Sequence, residues 1–230
     1  SRTFTSNSSG FIQAIAMENL IAFAQEQDLV IRLSRLPGDF VSRNAVLAVG
    51  FPGDKVTDKV RKRFHEAYYF GWHRTPSQDI EYAIDQLVEV AVRALSPGIN
   101  DPFTAMSCIE WLGVALLQVG RRQIPSACHY DEEGKLRLIA DVTDYQGIAA
   151  AALNQTRQYG STSVAVVTRL LDMIARVAEE LERPEDRQVL MDHAGEIRAD
   201  GLREIKNERD QRDIELVFAR AAEALTLPDR

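Results

Sequence analysis

The stretch Ala94-Leu95-Ser96-Pro97-Gly98-Ile99-Asn100-Asp101-Pro102-Phe103-Thr104-Ala105 joins the two most apolar segments of the chain, and its punctuation decides the fold class. Upstream, Ile80, Ile84, Leu87, Val88, Ala91 and Leu95 fall on one helical stripe. Downstream, Phe103 to Val119 is apolar nearly all round, as a centrally buried helix is. Proline cannot continue a helix, so the first helix stops at or before Ser96. Pro97-Gly98 suits the central positions of a type II turn, with glycine at the positive φ. Asp101 followed by Pro102 starts the next helix, the carboxylate capping free N–H groups and proline taking the first helical position. A tight helix–helix corner needs these residue types whatever the protein does. The same residues, Ser96, Asn100, Asp101 and Thr104, also make a polar cluster between apolar helices that can take an ion or small polar ligand.

Helical periodicity extends outward from this corner. Val164, Val167, Leu171, Ile174, Val177 and Leu181 form one stripe, and about four helices follow Tyr145, with breaks near Gly160, Pro184 and Gly201. Val56, Val60, Phe64 and Ala67 also recur at helical spacing, interrupted at Gly71. The first fifty residues read differently. Phe11 to Ala16 is a short apolar run and Met17 to Gln25 a helix; Leu29 to Leu36 and Ala45 to Phe51 alternate as half-buried strands around the Pro37-Gly38-Asp39 turn. Lys135 to Asp141 alternates as a lone strand after a loop over 123–133. The expected fold is α+β and predominantly α-helical. It has a strand–helix–strand–strand subdomain over 1–53 and a multi-helix bundle over 54–230, with one extra strand near 135–141.

Composition narrows the function. The 230 residues carry 27 Lys+Arg against 34 Asp+Glu, a net charge of −7, which argues against nucleic acid as a partner. The two cysteines, Cys108 and Cys128, lack metal-knuckle or redox spacing; a reducing compartment is favoured, with one bridge left open. No stretch approaches the roughly 20 apolar residues of a membrane span, since the best window, Ala105 to Val119, contains Glu110 and ends near Arg121. The chain starts at Ser1, as a fragment or processed product does. There is no HExxH, phosphate loop or nucleophile elbow, and His65, His73, His129 and His193 are scattered. Hence no catalytic residue, metal or cofactor is expected.

Upstream of the corner, His73-Arg74-Thr75-Pro76-Ser77-Gln78-Asp79 opens the helix: Thr75 or Ser77 can cap it, with Asp79 in its first turn. Arg74 can pair with Asp79 or Asp101. Arg74, Gln78 and Asp79, with Ser96, Asn100, Asp101 and Thr104, are the candidate ligand-binding residues.

The run Arg74-Thr75…Gln78-Asp79…Leu87-Val88…Ala91…Arg93-Ala94-Leu95-Ser96-Pro97-Gly98-Ile99-Asn100-Asp101-Pro102…Thr104-Ala105 resembles a family of predicted bacterial membrane proteins, domain of unknown function 2254. Ser9-Gly10-Phe11-Ile12-Gln13-Ala14-Ile15, Pro37-Gly38-Asp39-Phe40-Val41 and Gln155…Arg157-Gln158-Tyr159-Gly160 are similar to it as well. The resemblance implies a soluble C-terminal region of a bacterial inner-membrane protein, on the cytoplasmic side, whose own transmembrane segment is its partner. It carries no established activity. Three roles follow in order: a non-enzymatic regulatory, assembly or ligand-sensing domain; an enzyme or small-molecule-binding domain with its site at the Arg74/Asp79/Asn100/Asp101 corner; and a homo-oligomeric scaffold beneath a channel-like part. In each the membrane surface is close, where Arg61-Lys62-Arg63 and Arg121-Arg122 can meet anionic lipid.

Overall fold

The computed structural model describes residues 1–123 and 125–226. Ile124, in the expected 123–133 loop, and 227–230, at the end of the expected helical domain, lie outside the described residues. The chain divides into two compact units, 1–82 with 124–142 and 83–123 with 143–230.

The strands and α-helices of the first unit are β1 (Arg2–Thr5), β2 (Gly10–Ile15), α1 (Met17–Glu26), β3 (Val30–Leu33), β4 (Phe40–Val41), β5 (Val46–Phe51), α2 (Asp58–Phe64), β6 (Tyr68–Gly71), β7 (Cys128–Tyr130) and β8 (Leu136–Ile139). A five-stranded sheet runs β1-β5-β3-β8-β7 and a three-stranded sheet β4-β2-β6. The core between them is built by Phe4, Ile12, Ile15, Leu20, Leu29, Ile31, Leu47 and Phe64, all fully buried. The Phe4 and Phe64 rings stack with centroids 4.1 Å apart.

Residues 54–82 and 125–142 therefore belong to one compact unit with the first fifty. The helical pattern over 56–67 ends at Phe64, and Tyr68-Tyr69-Phe70 turns into a strand, because three aromatic residues fit a pleated surface better than a helix. The expected lone strand is paired on both sides. β8 runs parallel to β3 through Ile31↔Leu138 and antiparallel to β7, which lies within the expected loop. The buried pair Arg137 Nε–Asp131 Oδ2, 2.7 Å, and the Arg137 Nη1–Asp28 Oδ1 bond, 3.0 Å, fix this hairpin. Lys55 and Arg137 hold the Asp28 carboxyl down at about 2.

The second unit is helical: α3 (Ile80–Ala94, entering from the first unit), α4 (Pro102–Gly120), α5 (Tyr145–Gly160), α6 (Val164–Ala178), α7 (Pro184–Glu204) and α8 (Glu208–Thr226). α6 is its axis. Val166, Val167, Leu170, Leu171, Met173, Ile174 and Val177 are buried among α4, α5, α7 and α8. α4 approaches α6 closely because Gly113 has no side chain; a Cβ there would lie 2.6 Å from Met173 Cγ. The fold is α+β and predominantly helical, as the sequence pattern requires.

One expectation changes. By length and composition α4 does reach what a bilayer crossing needs, with mean hydropathy 1.4 over its best window. A single glutamate cannot offset so apolar a helix. In the fold 39% of that window is buried, and Glu110 is paired with Arg169 and Arg176 of α6.

Candidate functional site

Three separated stretches of the first unit meet at one place: β2, the 36–41 turn, and the 73–79 segment. Asp79 is 7% exposed. Its Oδ2 accepts from Arg74 Nε at 2.7 Å and its Oδ1 from Arg74 Nη2 at 3.0 Å, a two-point geometry that only a guanidinium provides. The Arg74 guanidinium also lies over the Tyr82 ring, 5.2 Å from its centroid. Asp79 Oδ1 further accepts from the Tyr82 backbone N–H at 3.0 Å, so Asp79 itself caps α3, in place of Thr75 or Ser77. The reason is register: α3 begins at Ile80, which makes Asp79 the residue before the first turn.

Gln78 donates to the Ile15 carbonyl at 3.2 Å and accepts from the Ile15 N–H at 2.9 Å. Gln13 Nε2 donates to the His73 carbonyl at 2.9 Å, and Thr75 Oγ1 donates to the Gln13 carbonyl at 3.3 Å. On the other flank, Gly38 N–H donates to Ile12 O at 2.8 Å and Ile12 N–H to Asp39 O at 2.9 Å. Gly38 has φ +98°, and a Cβ there would sit 2.4 Å from Asp79 Oδ2. Glycine is required at this position both by its backbone and by the carboxylate against it. Gln13 and Gly38 were not among the expected site residues, although both stand in stretches that carry the family resemblance. What hid them was distance in sequence, since each meets its partner some 40 to 60 residues away.

Ser96, Asn100, Asp101 and Thr104 lie in the second unit, at the α3–α4 corner. There Ala91 and Ala94 pack on Ala105 and Cys108. Ser96 Oγ donates to Arg93 O at 2.7 Å. The Asp101 carboxylate accepts from the N–H groups of Phe103 (3.1 Å) and Thr104 (3.2 Å) and from Thr104 Oγ1 (2.5 Å). The Thr104 hydroxyl and N–H hold this carboxyl below its ordinary value. Capping by Asp101 is as expected; the turn is different. The positive φ belongs to Asn100, at +49°, and not to Gly98, because Ile99 and Asn100 N–H groups both bond back to Ser96 O and continue the helical winding through Pro97-Gly98. Asn100 then makes the left-handed stop, which asparagine tolerates.

Chemically, Gln13, Thr75, Gln78 and Ser96 are spent on backbone groups, Arg74 on the Asp79 carboxylate, and Asp101 on the N–H groups and hydroxyl at its own helix start. Among the described residues no three of His, Cys, Asp and Glu come together as a metal site, and Cys108 and Cys128 are free thiols. The basic spots are largely neutralised: Arg63 binds Glu26 at two points, Arg61 pairs with Asp58, and Arg121 with Glu180. A groove of about 300 Å³ in the first unit runs beside the Glu26–Arg63 pair, lined also by Asn19, Phe23 and Glu66, and takes in none of the expected site residues.

A family model described as a predicted membrane protein, DUF2254, matches residues 1–176. The chain belongs to that family. It is 27% identical over 228 residues to uncharacterised proteins of Mycobacterium tuberculosis and Mycobacterium bovis, covering 96% of this chain and 43% of theirs. The chain thus spans less than half the length of these relatives. No solved structure matches it. The DUF2254 match takes in the β2, 36–41 and 73–79 stretches and the α3–α4 corner alike, and extends to α6.

Proposed function

We propose that this DUF2254 region is a water-side, non-enzymatic module used for assembly or regulation of a bacterial membrane protein. The observation that carries the reading is the use made of the polar residues in the matched stretches. Gln78, Gln13, Thr75 and Asp79 bond backbone groups or a single guanidinium, and they hold strand ends to a helix start. A catalytic or ligand-binding centre instead leaves convergent polar groups facing a cavity. The placement of α4 supports the water-side reading. Its inner face is packed on α6, and its one charged residue sits in an ion-pair network with two arginines.

The test is fractionation. The 230-residue chain is expressed in a bacterium and membranes are washed with alkaline carbonate. The chain is expected in the soluble fraction, with a cooperative thermal transition. Recovery only in the detergent extract would make α4 a membrane span and end the reading.

A further inference from the structure

We infer that the outer face of α4 is where two copies of this chain meet, antiparallel about a two-fold axis between Ser107 and Trp111. The face is a single stripe: Phe103, Ser107, Trp111, Val114 and Gln118, with Thr104 at its edge, all exposed and none of them charged. At 1.5 Å per residue it is about 22 Å long. Phe103 is 76% exposed, Trp111 64% and Val114 43%. An amphipathic helix at a protein surface ordinarily carries charge on its outer side, and α4 carries none along this line.

The stripe is complementary to itself. An antiparallel two-fold at its centre sets Trp111 over the partner's Ser107 and Val114 over the partner's Thr104, so these two side chains each meet a smaller one, twice across the axis. That reciprocity is what a closed two-fold contact demands. The area suffices. A whole aromatic side chain offers about 150–250 Å², so at these exposures Phe103 and Trp111 alone leave roughly 300 Å² of ring in water on each copy. With Val114 and the small residues between, the pair of stripes reaches about the 1,000 Å² that a specific interface requires. Along one flank runs Glu110 with Arg169 and Arg176, satisfied within the copy and placed as a polar rim.

This inference rests on the water-side reading of α4, and the two fail differently: a chain found only in detergent extracts fails that reading, whereas a soluble monomer fails this one alone. Sedimentation velocity on the 230-residue chain over micromolar concentrations is the experiment, with Trp111→Ala to remove the knob and Ser107→Trp to fill the hole. Both positions are exposed within one copy, so the circular dichroism spectrum of each variant is expected to match the wild type, and any fall in melting temperature to be that of a lost dimer, shrinking on dilution. The wild type is expected as a dimer, with Trp111→Ala weakening it roughly thirtyfold or more, as loss of a central aromatic anchor does. Ser107→Trp is expected as a monomer. A wild-type monomer, dimers unaffected by both variants, or flotation of the wild type with anionic vesicles that Trp111→Ala abolishes would each overturn the proposal, the last by assigning the stripe to lipid.

Discussion

The Gln78 side-chain amide closes a two-way hydrogen-bonded clasp on the backbone of Ile15, 63 residues earlier in the chain, accepting from its N–H and donating to its carbonyl. Ile15 is the last residue of β2 and fully buried, so its backbone groups have no water to fall back on. Gln78→Ala removes both bonds and is expected to lower stability by about 1–3 kcal/mol, two ordinary hydrogen bonds with one buried donor left open. Gln78→Glu keeps an acceptor but no donor and should fall between. Urea unfolding midpoints at constant slope measure both.

The carboxylate of Asp79 is expected to cost more when neutralised. Asp79→Asn leaves the Arg74 guanidinium, a quarter exposed, facing an amide in place of a charge. Breaking a fully buried pair costs about 3–5 kcal/mol; partial solvent access to the arginine lowers the expectation to about 2–3 kcal/mol. Gly38→Ala should cost a similar amount by pushing a methyl group onto the same carboxylate. Gly38→Ala and Asp79→Ala are expected to be less than additive, because removing the carboxylate makes room for the methyl and leaves only the backbone strain at φ +98°. A double-mutant cycle on unfolding free energies reads the coupling.

How far the sequence reveals this fold depends on element length. The α6 stripe and the α4 run extend over four or five turns, so both helices are legible, as is the burial of α6; α4, expected to be centrally buried, keeps an exposed face at Phe103, Trp111 and Val114, because an all-round apolar run does not say which side is covered. β4 has two residues and β7 three, too few for an alternation to register. The pairing of β3 with β8 joins positions more than a hundred residues apart, and nothing local announces it. Of the candidate residues, Asp101 is legible because a cap is local chemistry. The Gln13, Gly38 and Gln78 contacts are long-range, and sequence places each residue without its partner. The Gly98 turn misleads because Pro-Gly is a strong turn signal, yet the winding is set by the Ser96 carbonyl.

Two histidines are expected to make stability fall in mild acid. Burial lowers His65 and His193 from their ordinary 6.5, and at His193 the nearby Arg157 adds to the effect while Glu196 and Asp192 oppose it. Each Nδ1 is buried and has no hydrogen-bond partner among the described residues. A histidine depressed in the fold favours the neutral form, so its stabilisation is complete above the unfolded value and is lost as pH falls from about 6.5 through the folded one. Melting temperature is expected to drop across that window, and a His65→Gln/His193→Gln variant should flatten the dependence. An unchanged slope in the variant would mean that carboxylates govern the transition.

At the α3–α4 corner, Asp101→Ala should lower the melting temperature by a few degrees, since it removes the acceptor for Phe103 and Thr104 together. Asp101→Asn keeps a capping oxygen and should recover most of the loss. Because the Thr104 bonds hold the Asp101 carboxyl down, its contribution is present above the ordinary 3.8 and disappears as pH falls below it. The difference between wild type and Asp101→Asn should therefore shrink in acid.

The same corner separates two accounts of its turn. If Gly98 supplied the left-handed residue, Gly98→Ala would be costly and Asn100→Ala mild. The structure reverses this order. A Cβ at Gly98 meets nothing within 4 Å, and its φ is not positive, so Gly98→Ala is expected to be neutral or to stabilise by about 0.4–1 kcal/mol through the unfolded chain. Asn100 has φ +49°, so Asn100→Ala places a side chain where left-handed backbone costs about 1–2 kcal/mol, while Asn100→Gly should be silent. Thermal unfolding of the three variants under one condition decides the matter, because a loss at Gly98 together with tolerance at Asn100 would require the chain to leave α3 by a different turn, and with it a different seating of Ala105 and Cys108 on Ala91 and Ala94.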